Sequence, residues 1–369
     1  MPISFKSYVH LLLLRIHTCF IEYKKWRTHK IDSIGCNVYY GYDHIPKPSE
    51  RASGGIIKCQ DLQLAFPNRF EGANILYLVS SALPLYPKYL LKNTLSKGVK
   101  LVWNQNGVAY PAWHGPGWEK TNEFSAYWIH KADSVIYQSE FCKCSADRYL
   151  GSVNGAWQIL HNPVDTETFT PAEYAKDGFN ILLAGTHNEW YRMHTALKTF
   201  QKVLLQIPKA KLYIAGPLKW KKNTNEARKE LNDLCRSLGL EKSVNLLGPY
   251  KQTEAVALFQ GAHLLLHTQY NDACPRLVVE AMACGLPVVY SSSGGTPELV
   301  GEDSGIGIKA AVDWNSIHTP DPELMSAAVY KIFRNYEYYS KNARERAVTK
   351  FDVRPWVEQH ENIFKNVLQ

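Results

Sequence analysis

Apolar positions along this chain fall into two alternating patterns. Short runs dense in apolar residues recur at 36–42 (CNVYYGY), 74–80 (NILYLVS), 100–104, 134–138 and 156–160, then at 179–184 (FNILLA), 211–215, 244–247, 264–267, 286–290 and 305–308. Their length and continuity suit strands buried on both faces of a parallel sheet. Between them lie longer stretches whose apolar residues return every three or four positions. These predict helices at 56–66, 140–150, 194–206, 223–238, 252–260, 323–334, 338–351 and 353–368. In 194–206, for example, Leu197, Phe200, Val203 and Leu204 share one face. Alternation of strand and helix is the pattern of α/β domains built on parallel sheets.

The stretch 271–300, NDACPRLVVEAMACGLPVVYSSSGGTPELV, concentrates several such signals. Pro275 suits the first turn of a helix, Leu277, Val278, Ala281 and Met282 continue its apolar face, and Gly285 ends it. A buried strand at 286–290 and a glycine turn at 291–295 follow, and Pro297-Glu298 opens a second helix. Two helix N-termini therefore flank the C-terminal end of one strand, where open α/β sheets bind anions. Asp272 and Glu280 bracket the first helix with seven residues between them. Singly, Asp272 reads equally well as an N-cap and Glu280 as a solvated helix residue. Together, beside free backbone amides, they outline a site for a ribose and a diphosphate.

Residues 4–30 carry Tyr8, Val9, Leu11, Leu12, Leu13, Leu14, Ile16, Phe20 and Ile21, interrupted by Arg15 and His17. The run is too short to span a bilayer and lacks the small-residue cleavage site of a secretory signal. Lys24, Lys25, Arg27 and Lys30 follow. Either an amphipathic helix packed on its own domain or one lying on an anionic membrane face fits this pattern. The length of 369 residues points to two domains. A net charge of +8 fits anionic substrates or membrane surfaces, as it fits many soluble proteins. No nucleic-acid motif accompanies it, which argues against a nucleic-acid partner. The eight cysteines show no CxxC or Cys/His metal spacing. They point to free thiols in a reducing, cytoplasmic compartment and away from a metal site.

Polar chemistry is sparser in the first half. Gly54-Gly55, between a strand and a helix, suits close approach to a phosphate or substrate. Residues 104–107 (NQNG) end a strand and so face a crevice. The Asn106 amide can hold a hydroxyl but cannot act as a general base; Asn106-Gly107 also reads as a plain turn. In 110–118 (YPAWHGPGW) aromatic faces suit sugar rings, and His114 could bond an acceptor hydroxyl or brace a loop.

Taken as strings, EAMACGLPVV (280–289) and GGTPE (294–298) resemble the donor-binding core of glycosyltransferase family four. This is the large retaining group of glycosyl transferases group 1 with the GT-B fold. The departures are Asp272, where the family usually has Glu, and Ala273-Cys274-Pro275-Arg276 in place of Gly-Phe-Gly. NPVDTETF at 162–169 is similar to the family's junction between domains. The resemblance implies two Rossmann-like domains facing across a cleft. Residues 1–170 would read the acceptor and 171–352 bind the donor. A terminal helix at 353–369 would cross back to the first domain, anchored by Trp356.

The implied reaction moves a hexose-type sugar from a nucleoside diphosphate to an acceptor hydroxyl on a growing glycan (polysaccharide, glycoprotein glycan or lipid-linked sugar), with retention. No metal, cofactor or protein nucleophile is implied. Glu280 would hold the ribose and Asp272 would touch the donor sugar. Amides around Leu277, Val278, Gly294 and Gly295 would hold phosphate oxygens. Gly54 and Gly55 would approach the donor, and backbone around Tyr250 would hold the base. Members usually carry an Arg directly after the glycine matched by Gly185 and a Lys several residues later, both against the diphosphate; Thr186 stands at the first place, and Arg192 is the candidate for the second. Asn106 stands where many members place a His or Asp against the reacting sugar. A catalytically silent nucleotide-sugar or glycan-binding protein of this fold is the alternative reading. The GGTPE turn argues against an epimerase or a phosphorylase.

Overall fold

The structure, a computed structural model, describes residues 5–47, 50, 54–172 and 178–369, with side chains from Leu13 onward. It contains two parallel sheets. The first comprises β1 (Val38–Tyr39), β2 (Ile75–Val79), β3 (Lys100–Gln105), β4 (Ser134–Tyr137) and β5 (Ala156–Ile159), in spatial order β1-β2-β3-β4-β5. The second comprises β6 (Phe179–Leu183), β7 (Ala210–Ala215), β8 (Val244–Gly248), β9 (Leu264–His267), β10 (Val288–Ser292) and β11 (Gly305–Lys309), in the order β11-β10-β9-β6-β7-β8. The direction of winding reverses between β6 and β9, so their C-terminal ends open a crevice of the kind that takes ligands in doubly wound sheets.

Each sheet buries apolar residues on both faces, as its unbroken apolar runs require. On one face of the first sheet Leu76, Leu78, Leu101, Trp103 and Val135 pack with Leu90, Trp128 and Ala146; on the other Tyr77, Val102 and Ile136 pack with Leu62. The second face is completed from the far end of the chain. The helix Val353–Leu368 leaves the second sheet and lays Trp356, Ile363 and Phe364 against the first. His360 on that helix meets the Tyr77 hydroxyl at 3.2 Å. The two crossings between the halves run side by side: the Val164 amide donates to Phe351 O at 2.8 Å, and the Val353 amide to Val164 O at 3.0 Å. Arg344 ties this junction by donating to the carbonyls of Thr166, Phe169 and Ala283.

Several local expectations shift. The strand expected at 36–42 is only Val38–Tyr39, because β1 is an edge strand paired on one side alone. The helix expected at 56–66 is Gly54–Leu62, so the glycine pair begins the helix rather than forming a separate turn. The helices Pro87–Ser96 and Trp118–Trp128 lack a clear apolar period in sequence, and 110–118, read as loop, contains the short helix Pro111–His114. Pro87 and Pro111 stand at the starts of their helices, where a missing N–H costs nothing. The first helix, Phe5–Arg27, packs on its own domain through its C-terminal end. Trp26 is buried against Phe70 and Tyr39, while Leu13, Ile16, Phe20 and Ile21 remain exposed. No helix among the described residues is long and apolar enough to cross a membrane.

Candidate functional site

A cleft of 470 Å³ lies between the C-terminal ends of the two sheets. Its first-sheet wall includes Gly54, Lys58, Asn106, Tyr110 and Trp113; its second-sheet wall includes Gly185, Arg192, His267, Asp272, Arg276 and Leu277. The loop after β9 forms the floor of the second wall. Asn271 adopts a left-handed backbone (φ 48°), which asparagine tolerates, and its amide donates to Ser293 Oγ at 2.9 Å. Side chains of the first half hold the next carbonyls: Ser139 Oγ donates to Ala273 O at 2.6 Å and Asn162 Nδ2 to Cys274 O at 2.6 Å. These ties aim the N-terminus of the helix Arg276–Ala283 at the cleft. The amides of Arg276 and Leu277 belong to its first turn, where no intrahelical carbonyl is available.

Three cations meet here in unlike environments. Arg192 is 4% exposed; its Nη1 donates to Thr186 O at 2.6 Å and its Nη2 to Ala184 O at 3.4 Å, while Nε has no partner. Burial lowers its pKa, and its partners are carbonyls. Arg276 instead lies between two carboxylates: Nη1 pairs with Asp61 of the first half, and Nε with Glu280 Oε1 at 2.9 Å. Burial would lower the Arg276 pKa, but Asp61 and Glu280 carry it upward. Burial raises that of Glu280 despite Arg276. Lys58 is 3% exposed and donates to Asn104 Oδ1 and Asn106 Oδ1, both at 3.0 Å. Burial lowers its pKa to about 8.

The imidazole of His267, 2% exposed, has neither ring nitrogen hydrogen-bonded. Its Nε2 stands 3.4 Å from Asp272 Oδ2, close enough for charge interaction but outside hydrogen-bond geometry. Asp272 is the more open of the two bracketing carboxylates, 29% exposed against 13% for Glu280.

Among the residues singled out from the sequence, Gly54, Asn106, Gly185, Arg192, Asp272 and Leu277 all line the cleft. Others are placed differently. Glu280 lies off the lining, turned to Arg276. The Gly295 amide is taken by Asp272 O at 2.8 Å, and the Val278 amide by Pro275 O at 3.0 Å, so neither is free for a phosphate. The glycine pair serves loop packing. A Cβ on Gly294 would sit 2.4 Å from Asp272 O, and one on Gly295 2.1 Å from Ala273 O. Gly55 likewise packs on Ser81 and Ala82 instead of facing the cleft. Tyr250 packs against the core beneath the donor helix, off the lining. His114 is also off the lining; its ring meets Thr121 Oγ1 at 2.9 Å, and Tyr110 and Trp113 face the cleft in its stead.

Sequence reasoning missed Lys58, His267 and the bridging role of Arg276. None has a motif of its own, and each acquires its setting from the opposite wall or from burial. It also gave Glu298 no role. This carboxylate reaches from the second half to the first, accepting from the amides of Glu140 (2.8 Å) and Phe141 (3.0 Å) and facing His161 at 3.2 Å. Burial alone would raise its pKa, but these partners hold it below the ordinary value.

The profile of the family described as glycosyl transferases group 1 matches residues 165–346. A D-inositol 3-phosphate glycosyltransferase of Corynebacterium aurimucosum is 34% identical over 93 residues, 24% of this chain and 22% of the relative. One from Mycolicibacterium gilvum is 26% identical over 212 residues, 56% of this chain and 45% of the relative. The chain thus spans less than half the length of these curated relatives. Among solved structures, sucrose-phosphate synthase from Thermosynechococcus elongatus superposes with a TM-score of 0.65 at 17% identity, covering 80% of this chain and 74% of that one. Anabaena HepE in complex with UDP-glucose gives 0.65 at 18% identity, covering 79% of each. At these identities the structural likeness speaks for the fold.

Proposed function

The chain belongs to the glycosyl transferases group 1 family, and from that premise we propose that it transfers a hexose-type sugar from a nucleoside diphosphate to an acceptor hydroxyl, with retention. One observation carries the reading. At the switch point between β6 and β9, a helix N-terminus with unpaired amides faces cations that carry no carboxylate of their own, Arg192 and Lys58, beside the open carboxylate of Asp272. Amides and cations suit a diphosphate, and a carboxylate suits sugar hydroxyls. HepE, of the same fold, was crystallised with UDP-glucose, which supports a sugar nucleotide as donor.

In the proposed reaction the bond from the sugar C1 to the diphosphate oxygen breaks, and its electron pair leaves with the diphosphate. The acceptor oxygen bonds C1 from the same face, and its proton passes to the departing phosphate oxygen. Leu277 N–H and Arg192 stabilise the developing charge, Asp272 orients the sugar, and Glu280 offers Oε2 to the ribose while Oε1 stays on Arg276. Asn106 and the aromatic wall of Tyr110 and Trp113 receive the acceptor, a growing glycan or lipid-linked sugar. In this assignment residues 1–170 with the terminal helix read the acceptor and 171–352 the donor. We further propose a cytoplasmic enzyme that works without a metal ion, so EDTA should leave its rate unchanged. The exposed Leu13, Ile16, Phe20 and Ile21, followed by Lys24, Lys25 and Arg27, would rest on an anionic membrane, which co-sedimentation with anionic vesicles tests.

The decisive experiment screens nucleotide sugars by thermal shift, since a ligand bound to the folded state raises the transition temperature, and then reads the product anomer by NMR. Glu280→Ala should weaken donor binding sharply; wild-type affinity and turnover in that variant would remove Glu280 from the site. Thr186, uncharged beside Gly185, favours one other reading, a binder without turnover. It would retain the nucleotide sugar without releasing nucleotide.

A further inference from the structure

Lys58 is the least expected residue in the cleft. A lysine ammonium 3% exposed ordinarily has a carboxylate partner, yet here it has two neutral amide oxygens, Asn104 Oδ1 and Asn106 Oδ1. The groups that act on its charge are the thiols of Cys59 on its own helix and of Cys142 and Cys274 across from it, and the cation Arg276. His360, on the terminal helix, feels it in return. No carboxylate is among these groups. The nearest candidate on its helix, Asp61, is held by Arg276.

That Asp61–Arg276 pair also fixes where Lys58 points. Lys58 and Asp61 are three residues apart, hence on one face of the helix Gly54–Leu62. Asp61 is bonded to the first residue of the helix Arg276–Ala283. Lys58 therefore shares the cleft with the N-terminus of the donor helix, on the opposite wall from Leu277, and is near enough to feel the charge of Arg276. A second cation lines the same cleft: Arg192, whose Nε is buried and without a partner. A buried ammonium without an anion, a helix N-terminus and an unpaired guanidinium nitrogen around one cavity form a binding site for a multiply charged anion.

We infer that Lys58 binds the diphosphate of the donor from the first-sheet wall, so that this anion is clasped between the two sheets. This rests on the function proposed above, which names the anion. Lys58 acts by hydrogen bond and charge: its ammonium keeps its proton while the diphosphate takes the electron pair of the broken C1–O bond. Asn104 and Asn106 orient the ammonium, which gives Asn106 a positioning part whether or not it touches sugar. The pH behaviour follows. With Lys58 near 8 in the unliganded protein, an anion beside it raises that value. Binding above pH 8 then draws in a proton, and affinity falls as pH rises through 8.

The test uses inorganic diphosphate, which is independent of base and sugar, titrated calorimetrically into the full chain at pH 7 and pH 9. Lys58→Met and Lys58→Arg serve as comparisons, and two buffers of unlike ionisation enthalpy report proton uptake. Lys58→Met should bind about ten- to a hundredfold more weakly at pH 7, the loss of one charge-assisted hydrogen bond. It should also lose the part of the proton uptake that wild type shows at pH 9. Lys58→Arg should restore affinity at both pH values without that uptake, since a guanidinium stays charged. Equal affinity and equal proton uptake in wild type and Lys58→Met would overturn the inference, as would no diphosphate binding by wild type. If diphosphate binds through Lys58 while no nucleotide sugar is turned over, the inference stands and the transferase reading falls. If nucleotide sugars are turned over while Lys58→Met binds diphosphate like wild type, the transferase reading stands and the inference falls.

Discussion

Replacing Arg276 tests how the halves are joined at the donor helix. Its guanidinium lies between Asp61 and Glu280, and all three side chains are at most 18% exposed. Arg276→Met removes the cation and leaves two carboxylates in a nearly dry site. Breaking a buried pair in this way costs about 3–5 kcal/mol. Asp61→Asn is milder, because Arg276 and Glu280 stay charge-balanced and one charge-assisted bond is weakened, about 1.5–3 kcal/mol at most. The double variant Asp61→Asn/Arg276→Met should recover part of the single Arg276→Met loss, because only one unpaired carboxylate remains, with a coupling of about 0.5–3 kcal/mol. The pH dependence has a definite sign. Burial already raises the pKa of Glu280, and Arg276 opposes that rise. Without Arg276 the folded-state value climbs further above the ordinary 4.5. A group raised on folding contributes stability at low pH and loses it as pH rises. Arg276→Met should therefore be less destabilised at pH 5.5 than at pH 7.5. Urea unfolding followed by tryptophan fluorescence measures this, read as midpoints because two packed sheets need not unfold in one step. An Arg276→Met midpoint equal to wild type at both pH values would refute the bridge.

Glu298→Gln should destabilise by about 1.5–3 kcal/mol, because two amides and His161 lose a charged acceptor. The wild-type contribution of Glu298, whose pKa is lowered, should be present above pH 4.5 and fade as pH falls through the folded value, visible as a steeper acid limb than in the variant. Trp356→Ala should cost about 3–5 kcal/mol in chemical unfolding, since Trp356 is 4% exposed and fills one face of the first sheet from the terminal helix; a loss under about 1 kcal/mol would show that the helix is not part of that core. Asp272→Asn should retain nucleotide diphosphate binding but lose transfer at least about tenfold, a difference near 1.4 kcal/mol; unchanged kcat/KM would take Asp272 away from the sugar.

Much of the second sheet was legible in the chain itself. Buried parallel strands leave unbroken apolar runs, and the donor helix announces itself through Pro275, the Ala281–Met282–Ala283 apolar face and Gly285, all local signals. The carboxylate spacing of Asp272, before that helix, and Glu280, within it, could likewise be read along the chain. What could not be read is each group's partner. Arg276 and Glu280 are four residues apart on one helix, but the same guanidinium is also held by Asp61, more than two hundred residues earlier. Gly294 and Gly295 are glycines because another loop passes within contact distance, and no spacing within 291–295 reveals that. Lys58 is an ordinary lysine in sequence; its burial, its asparagine partners and its place in the cleft opposite Leu277 arise only in the folded chain. Local order comes from short-range periodicity, whereas the charge state and freedom of a polar group depend on desolvation and on neighbours distant in the chain, which only the tertiary structure decides.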